Sequence, residues 1–138
     1  MENNIWEFGE NTVLDETPYE ILDKYASQLK GSTGFIEGKV TELISDSRKE
    51  VIYALYLVVP ELKNYSYRLI EVVQPNAFTF YPVTMKLFGK ADGNIVELPK
   101  VDFKNFEKQL VDFIKSPVTK GILQSLKTHI EIVKKYNI

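Results

Sequence analysis

The sequence contains no cysteine and only one histidine among its 138 residues. Without cysteine the chain cannot form a disulfide, use a thiolate as a nucleophile, or bind zinc or an iron–sulfur cluster through sulfur. The single histidine, His129, would need several carboxylates to complete a metal site, and no local motif gathers them. The glycines at 30–39 lack the spacing of a phosphate-binding loop. We therefore expect neither a metal nor a cofactor.

Long apolar runs are absent as well. The longest, VIYALYLVV at 51–59, includes two tyrosines and is far shorter than the roughly 20 residues that a membrane-spanning helix needs. The first residues, MENNIWEFGENTV, do not have the basic-then-apolar order of a signal peptide. We expect a cytoplasmic protein that does not enter a membrane. Lysine outnumbers arginine 15 to 2, a usage associated with AT-rich bacterial genomes.

The chain also has no excess of positive charge. Its 17 basic residues are balanced by 19 acidic ones, and the formal net charge is −2. Nucleic-acid binding requires a basic patch that neutralises phosphates, whereas the lysines here are scattered along the chain. We expect no nucleic-acid partner. The hydrophobic share of 44% is otherwise that of an ordinary globular domain.

The segment TPYE at 17–20 carries the signature of a helix start. It provides a threonine cap, a proline at the first helical position and a glutamate that completes a capping box. Apolar residues then recur at helical spacing. Gly31 is predicted to end this helix in the left-handed conformation. Residues 1–14 precede the helix and are expected to form a poorly ordered arm.

The period of the apolar pattern changes to two after the first helix, which predicts β-strands. Short connections rich in turn-forming residues join them, so we expect an antiparallel meander of four or five strands. The second strand is apolar on both faces and is predicted to be an interior strand covered on both sides. Pro82 falls inside the fourth strand and predicts an edge or a bulge there. The predicted strands cover 35–44, 51–59, 65–73, 78–88 and 94–98.

Two helices are predicted after the strands. Asp102 can cap the first, and Ser116 with Pro117 ends it and caps the second. Each helix has one apolar stripe, and we expect the pair to pack on one face of the sheet with the N-terminal helix beside them or across an edge. No repeat or linker interrupts the chain. Residues 1–138 are therefore expected to form a single α+β domain with an N-terminal helix, a meander sheet and two C-terminal helices.

The segment YSYRLIEVV at 65–73 is the main candidate for a binding surface. Short turns on either side place Arg68 opposite Tyr56 and diagonal to Tyr81 in the predicted register. An arginine beside tyrosines can bind a carboxylate or another anion, and both residue types are enriched at the centres of interfaces. Alternatively, tyrosines simply favour strands and the arginine stem covers them. We predict a binding site at Arg68, Tyr56 and Tyr81.

Two further residues are candidates for a pocket between the sheet and the helices. Strict alternation places Glu71 on the opposite face from Arg68, where it is either a buried carboxylate or a marginal one paired with a lysine. His129 is either a general base or a hydrogen-bonded core histidine in the apolar stripe of the last helix. Ser125 lacks the motif of a nucleophile. We predict no catalytic residue.

The functional prediction depends on architecture and surface chemistry, because the residues carry no family motif. We expect a non-catalytic protein-interaction domain, of the inhibitor or immunity type or an adaptor, that binds another protein through a tyrosine-rich sheet face or edge. The alternative is a small-ligand-binding protein or minor enzyme that uses the pocket between sheet and helices. A third hypothesis is a homo-oligomer joined through an edge strand.

Overall fold

The computed structural model describes residues 15–46, 49–89 and 95–136. The arm predicted at 1–14 lies outside the described residues. The helices are α1 (Pro18–Ala26), α2 (Leu29–Thr33), α3 (Phe103–Ile114) and α4 (Pro117–Tyr136), and the strands are β1 (Glu37–Ile44), β2 (Val51–Val59), β3 (Tyr65–Gln74), β4 (Val83–Phe88) and β5 (Ile95–Val101). A 3₁₀ turn at Pro60–Leu62 joins β2 to β3.

The strands form one antiparallel sheet in the order β1-β2-β3-β4-β5. The α+β fold and the meander are therefore confirmed, and the sheet has five strands. The segment predicted at 94–98 is a complete edge strand that pairs with β4. Within the described ranges, no helix combines the length and the apolar character needed to cross a membrane.

The predicted caps position the helices. Thr17 Oγ1 accepts a hydrogen bond from the backbone N–H of Glu20 at 3.2 Å, and the Glu20 carboxylate accepts one from the Thr17 N–H at 3.3 Å. Asp102 accepts from the N–H of Asn105 at 3.0 Å and starts α3. The Ser116 hydroxyl accepts a 3.3 Å bond from the N–H three residues later, at the start of α4. These side chains satisfy backbone donors that have no partner inside the helix.

The first helix does not end at Gly31. Gly31 lies inside α2, and the left-handed residue is Gly34, with φ 81°. The Thr33 hydroxyl donates to the Leu29 carbonyl at 2.8 Å and accepts from the Ile36 N–H at 3.0 Å. These bonds stabilise the turn before the chain enters β1. The chain therefore takes the left-handed conformation at Gly34, later than the predicted position at Gly31.

The fourth strand is shorter than predicted and begins at Val83. Residues 75–82 form a hairpin loop in which the Asn76 carboxamide oxygen accepts hydrogen bonds from the backbone N–H groups of Phe78 and Thr79, both at 2.8 Å. This side-chain turn competes with strand pairing. Pro82 therefore precedes β4, and the prediction that it lies within the strand was wrong.

A bulge in β3 interrupts the alternation on which the face assignments depended. Tyr56 pairs with Arg68 as predicted, but the next pair along β2 is Leu55 with Ile70. Leu69 is the extra residue, and both Leu69 and Ile70 are buried in the core. A bulge moves every later residue of its strand onto the other face.

The residues beyond the bulge therefore lie on the opposite face from the one predicted. Glu71 pairs with Ala54 in β2 and with Lys86 in β4, not with the aromatic residues of the predicted register. Glu71 consequently lies on the same face as Arg68. The prediction that these two residues occupy opposite faces was wrong.

Helices α1, α3 and α4 cover one face of the sheet, and α1 packs on that face beside the C-terminal pair. Buried residues of these helices and of one strand face form a single core. The predicted cover on both sides of β2 is not found in the described part of the chain. Its helix-facing residues include Leu55, Leu57 and Val59, whereas Ile52, Tyr56 and Val58 on the other face are half-buried.

Candidate functional site

The sheet surface turned away from the helices is called the open face. Strand alternation and the observed pairing assign its residues. About half of them are apolar or aromatic, namely Leu43, Ile52, Ala54, Tyr56, Val58, Val73, Phe88 and Ile95, and the others are polar or charged, namely Glu37, Lys39, Thr41, Ser66, Arg68, Glu71, Thr84, Lys86 and Glu97. Across the described ranges no helix packs on this face, since the residues packed in the core all belong to the helices, the other strand face or the connecting segments.

Arg68 lies at the centre of the open face. Its guanidinium carbon is 4.6 Å from the centroid of the Phe88 ring, and Tyr56 is its cross-strand neighbour. The Arg68 side chain is 46% exposed. Stacking on an aromatic ring holds the planar guanidinium in place. Its 46% exposure leaves the guanidinium accessible from solvent while it rests on the ring.

Glu71 forms an ion cluster with two cations on the same face. One carboxylate oxygen is 3.2 Å from Arg68 Nη1, and the other is 3.9 Å from Lys86 Nζ. The residue is only 9% exposed. A carboxylate this well buried requires compensating charge, and Arg68 and Lys86 provide it. Glu71 is thus buried, as the first interpretation predicted, and paired with a lysine, as the alternative predicted.

Tyr81 does not belong to the open face. Its hydroxyl donates to the Glu16 carbonyl at 2.8 Å, and its ring contacts Phe103 and Phe106 with centroid distances of 5.4 and 5.9 Å. Burial raises the pKa of Tyr81 well above its usual range. The predicted contact with Arg68 was therefore wrong, because the hairpin loop carries Tyr81 to the helix side.

Phe88 occupies the position beside Arg68 that was predicted for Tyr81. It was missed because the predicted register set Val83 opposite Arg68, whereas β4 is displaced along β3 in the structure. The signal that could have corrected this is the segment PNAFTFYP at 75–82. An asparagine that can form a side-chain turn, followed by a Tyr-Pro pair, favours a long loop over a tight hairpin.

A cleft of about 690 Å³ opens between α4 and the sheet on the helix side. Its walls come from the N-terminal half of α4, the end of the β2–β3 connection and the end of β4. The lining residues are Leu62, Tyr65, Tyr67, Gly89, Pro117, Val118, Gly121, Ile122, Ser125, Leu126 and His129. The Tyr67 hydroxyl donates to the Phe88 carbonyl and fixes this end of β3 to β4.

His129 lines this cleft but is exposed, so it is not the core histidine that the apolar stripe favoured. Its Nδ1 lies 3.3 Å from the Ser125 carbonyl oxygen, one turn earlier in α4. Arg68 and Glu71 lie on the other side of the sheet. The three residues therefore cannot combine in one pocket, and the proposed catalytic use of this set has no geometric basis.

An electrostatic cluster joins α1 to α3 at the helix surface. The Glu107 carboxylate accepts a hydrogen bond from the Tyr25 hydroxyl and lies 2.7 Å from Lys24 Nζ. The Lys24 ammonium, followed by the Tyr25 hydroxyl, lowers the pKa of Glu107. The same pairing raises the pKa of Lys24. Because both interactions bridge two helices, we assign this cluster a structural role.

Neither the metal-binding potential of the described residues nor comparison with known proteins assigns a function to these sites. Among residues 15–46, 49–89 and 95–136, no group of three or more histidine, aspartate or glutamate side chains could hold a metal ion. Comparison with known proteins found no matching family model, no matching curated protein and no matching solved structure. The candidate sites are therefore defined by geometry and chemistry, with Arg68 on one face and the cleft on the other.

Proposed function

We propose that this chain is a small cytoplasmic bacterial interaction domain that binds another protein through its open face, without catalysis. An inhibitor, an immunity protein or an adaptor would act in this way. The observation that supports the proposal most strongly is that, among the described residues, helices pack on one side of the sheet only and leave a mixed apolar, aromatic and charged surface on the other side. Half-buried Ile52, Tyr56, Val58, Val73 and Phe88 surround the ion cluster there.

The dimensions of the open face fit part of a protein interface. Five strands at a spacing of about 4.8 Å span ~19 Å, and six residues of strand span ~20 Å, which gives an area of roughly 400 Å². Apolar and polar residues share this area about equally, and a non-obligate protein interface is likewise only slightly more than half non-polar. A stable complex buries about 800 Å² on each partner. The partner therefore contacts an edge strand as well, or the complex is transient.

β1 is the edge that suits such an extension. Leu43 and Ile44 at its end are 63% and 54% exposed. The other edge, β5, contains Pro99 and a left-handed Lys100, features that disfavour pairing with a further strand. A second copy of the chain could also pair with the edge of β1. The partner in this proposal is therefore another protein, with self-association through β1 as the alternative.

The charges of the open face indicate the chemistry of the partner. At its centre Arg68 and Lys86 flank the carboxylate of Glu71, and Glu97 lies opposite Lys86, so the charges balance. The Arg68 side chain is nevertheless 46% exposed and is accessible to a carboxylate of a partner. We propose that the partner inserts a carboxylate beside Arg68, flanked by apolar side chains that cover Tyr56 and Phe88. Arginine forms strong, directional hydrogen bonds with carboxylates.

The test is quantitative co-purification from the native cell with wild type, Arg68→Ala and Lys127→Ala. Lys127 is an exposed cation on α4 and serves as the matched control. We expect the same partner with wild type and Lys127→Ala, and its loss with Arg68→Ala. With the purified partner, Arg68→Ala should weaken Kd by about 30-fold or more, the effect of losing an interface hot spot.

Two results would overturn this proposal. If Arg68→Ala, shown to be folded by its thermal unfolding curve, retains every partner with unchanged Kd, the open face is not the binding surface. If Lys127→Ala loses the partner equally, binding does not depend on this site. Size-exclusion chromatography with light scattering on the wild type shows whether the partner is a second copy, since a monomer at high concentration excludes self-association.

A further inference from the structure

The cleft under α4 has the features of a small-molecule site. Its volume of about 690 Å³ falls in the range of roughly 300–1,000 Å³ typical of ligand pockets. Most of its lining is apolar, and the hydrogen-bonding side chains are the tyrosines together with Ser125 and His129. A predominantly apolar pocket with a few polar groups is the usual composition of a ligand site.

Gly121 lies on the α4 wall of this cleft. It lies inside α4, where glycine is less favourable than alanine by about a factor of four or five in the helical equilibrium. A Cβ atom at Gly121 would meet nothing within 4 Å, so packing does not require glycine there. At Gly89, across the cleft, packing does favour glycine, because a Cβ would lie 2.3 Å from Val118 Cγ1. Packing therefore does not explain the glycine at 121, and a larger side chain at this position would extend from the α4 wall of the cleft.

We propose that the cleft binds a small, mainly apolar molecule that carries a neutral hydrogen-bonding group, such as an alcohol or an amide. The apolar part contacts Leu62, Val118, Ile122 and Leu126, and the polar group reaches the Tyr65 hydroxyl or the imidazole of His129. This site is separate from the open face, because the sheet lies between them.

The described lining residues indicate the polar group of the ligand. Among the described residues, the lining includes no aspartate, glutamate, lysine or arginine. An ionised group placed in the cleft would lose water without gaining a counter-charge. The hydroxyl groups of Tyr65 and Ser125 can each donate and accept a hydrogen bond. They can therefore bind a neutral group that donates a hydrogen bond or one that accepts it.

The experiment titrates isotopically labelled protein with octan-1-ol and decan-1-ol and follows backbone amide shifts by NMR. Shifts should concentrate at Gly89, Gly121 and Ile122. Each additional methylene buried should tighten Kd by about fourfold, so decan-1-ol should bind about 15-fold more tightly than octan-1-ol. Decanoate and decylammonium, with the same chain, should each bind at least tenfold more weakly than decan-1-ol.

A pair of glycine variants provides the control for folding. Gly121→Leu fills the cleft and should weaken decan-1-ol binding at least tenfold. Gly31→Leu introduces the same side chain into α2, where a Cβ also meets nothing within 4 Å and which does not line the cleft, so binding should be unchanged. Both variants should show the amide spectrum of a folded chain.

The inference is overturned if the alcohols shift no cleft residue, if Gly121→Leu binds decan-1-ol as tightly as wild type, or if a charged analogue binds as tightly as the alcohol or more tightly. None of these results bears on the open face, since Arg68 is absent from the cleft lining. Conversely, Arg68→Ala should leave decan-1-ol binding unchanged even if it abolishes partner binding.

Discussion

Gly38→Ala is expected to destabilise the protein by about 2–3 kcal/mol, the upper part of the range for overpacked sites. A Cβ at Gly38 would lie 2.4 Å from the Ala26 carbonyl oxygen and 2.7 Å from the Ala26 Cα. These are backbone atoms of α1, so no side-chain rotation can relieve the contact. The C-terminal end of α1 must move away from β1, which disturbs the packing of Ile21 and Leu22 in the core.

Urea denaturation followed by circular dichroism measures this effect, and Gly31→Ala is its matched control. Gly31 lies in α2 with open space around its Cα, so alanine there should leave the free energy of unfolding unchanged or raise it by up to about 1 kcal/mol. Equal stability of Gly38→Ala and wild type would contradict the close contact between α1 and β1.

Phe106→Ala is expected to lower the free energy of unfolding by about 3–5 kcal/mol, the range for truncating a buried aromatic residue. Phe106 is completely buried at the centre of α3, and its ring contacts Tyr81 edge-on. Alanine would leave a cavity and remove the residue that holds α3 on the sheet. Since domains of this kind are stable by only about 5–15 kcal/mol, the variant should unfold at much lower urea concentration.

Phe78→Ala is the matched control for this substitution. Phe78 lies in the β3–β4 loop and is 93% exposed, so its truncation should change the free energy of unfolding by less than about 0.5 kcal/mol. If Phe106→Ala is as mild as Phe78→Ala, then α3 does not pack on the sheet through this residue.

Local signals in the sequence were sufficient to predict the order of the helices and strands, apart from the short helix α2. The capping box at Thr17, the aspartate cap at 102 and the change of apolar period from helical to alternating each depend on nearby residues alone. Short connections between strands then allowed few arrangements other than a meander. These features are local, and the structure confirms them.

The assignment of strand faces could not be predicted, because it depends on one bulge. Leu69 and Ile70 are both apolar, and both enter the core, which alternation does not allow. Burying two consecutive large side chains outweighs the loss of regular pairing at one point of the ladder. Consequently Arg68 and Glu71, three residues apart, form an ion pair that strict alternation excluded.

The placement of Tyr81 and His129 depended on long-range packing. Tyr81 was assigned to a strand, but the Asn76 turn carries it to α3. His129 lies near the apolar stripe of α4, but the cleft beside it leaves the ring exposed. Neither outcome follows from periodicity, since both depend on which surface the neighbouring element leaves unfilled.

The most direct measurement compares thiol labelling at adjacent positions of β2, using the cysteine-free chain as background. Tyr56→Cys lies on the open face, and Leu57→Cys on the helix face at 1% exposure. In the free protein, Tyr56→Cys should react at least ~100-fold faster than Leu57→Cys, whose labelling requires unfolding. Adding the partner, at a concentration shown to saturate the Tyr56→Cys variant, should slow labelling at position 56 alone. Equal protection of the two thiols in the free protein, or no change at position 56 on binding, would contradict an open sheet face that binds the partner.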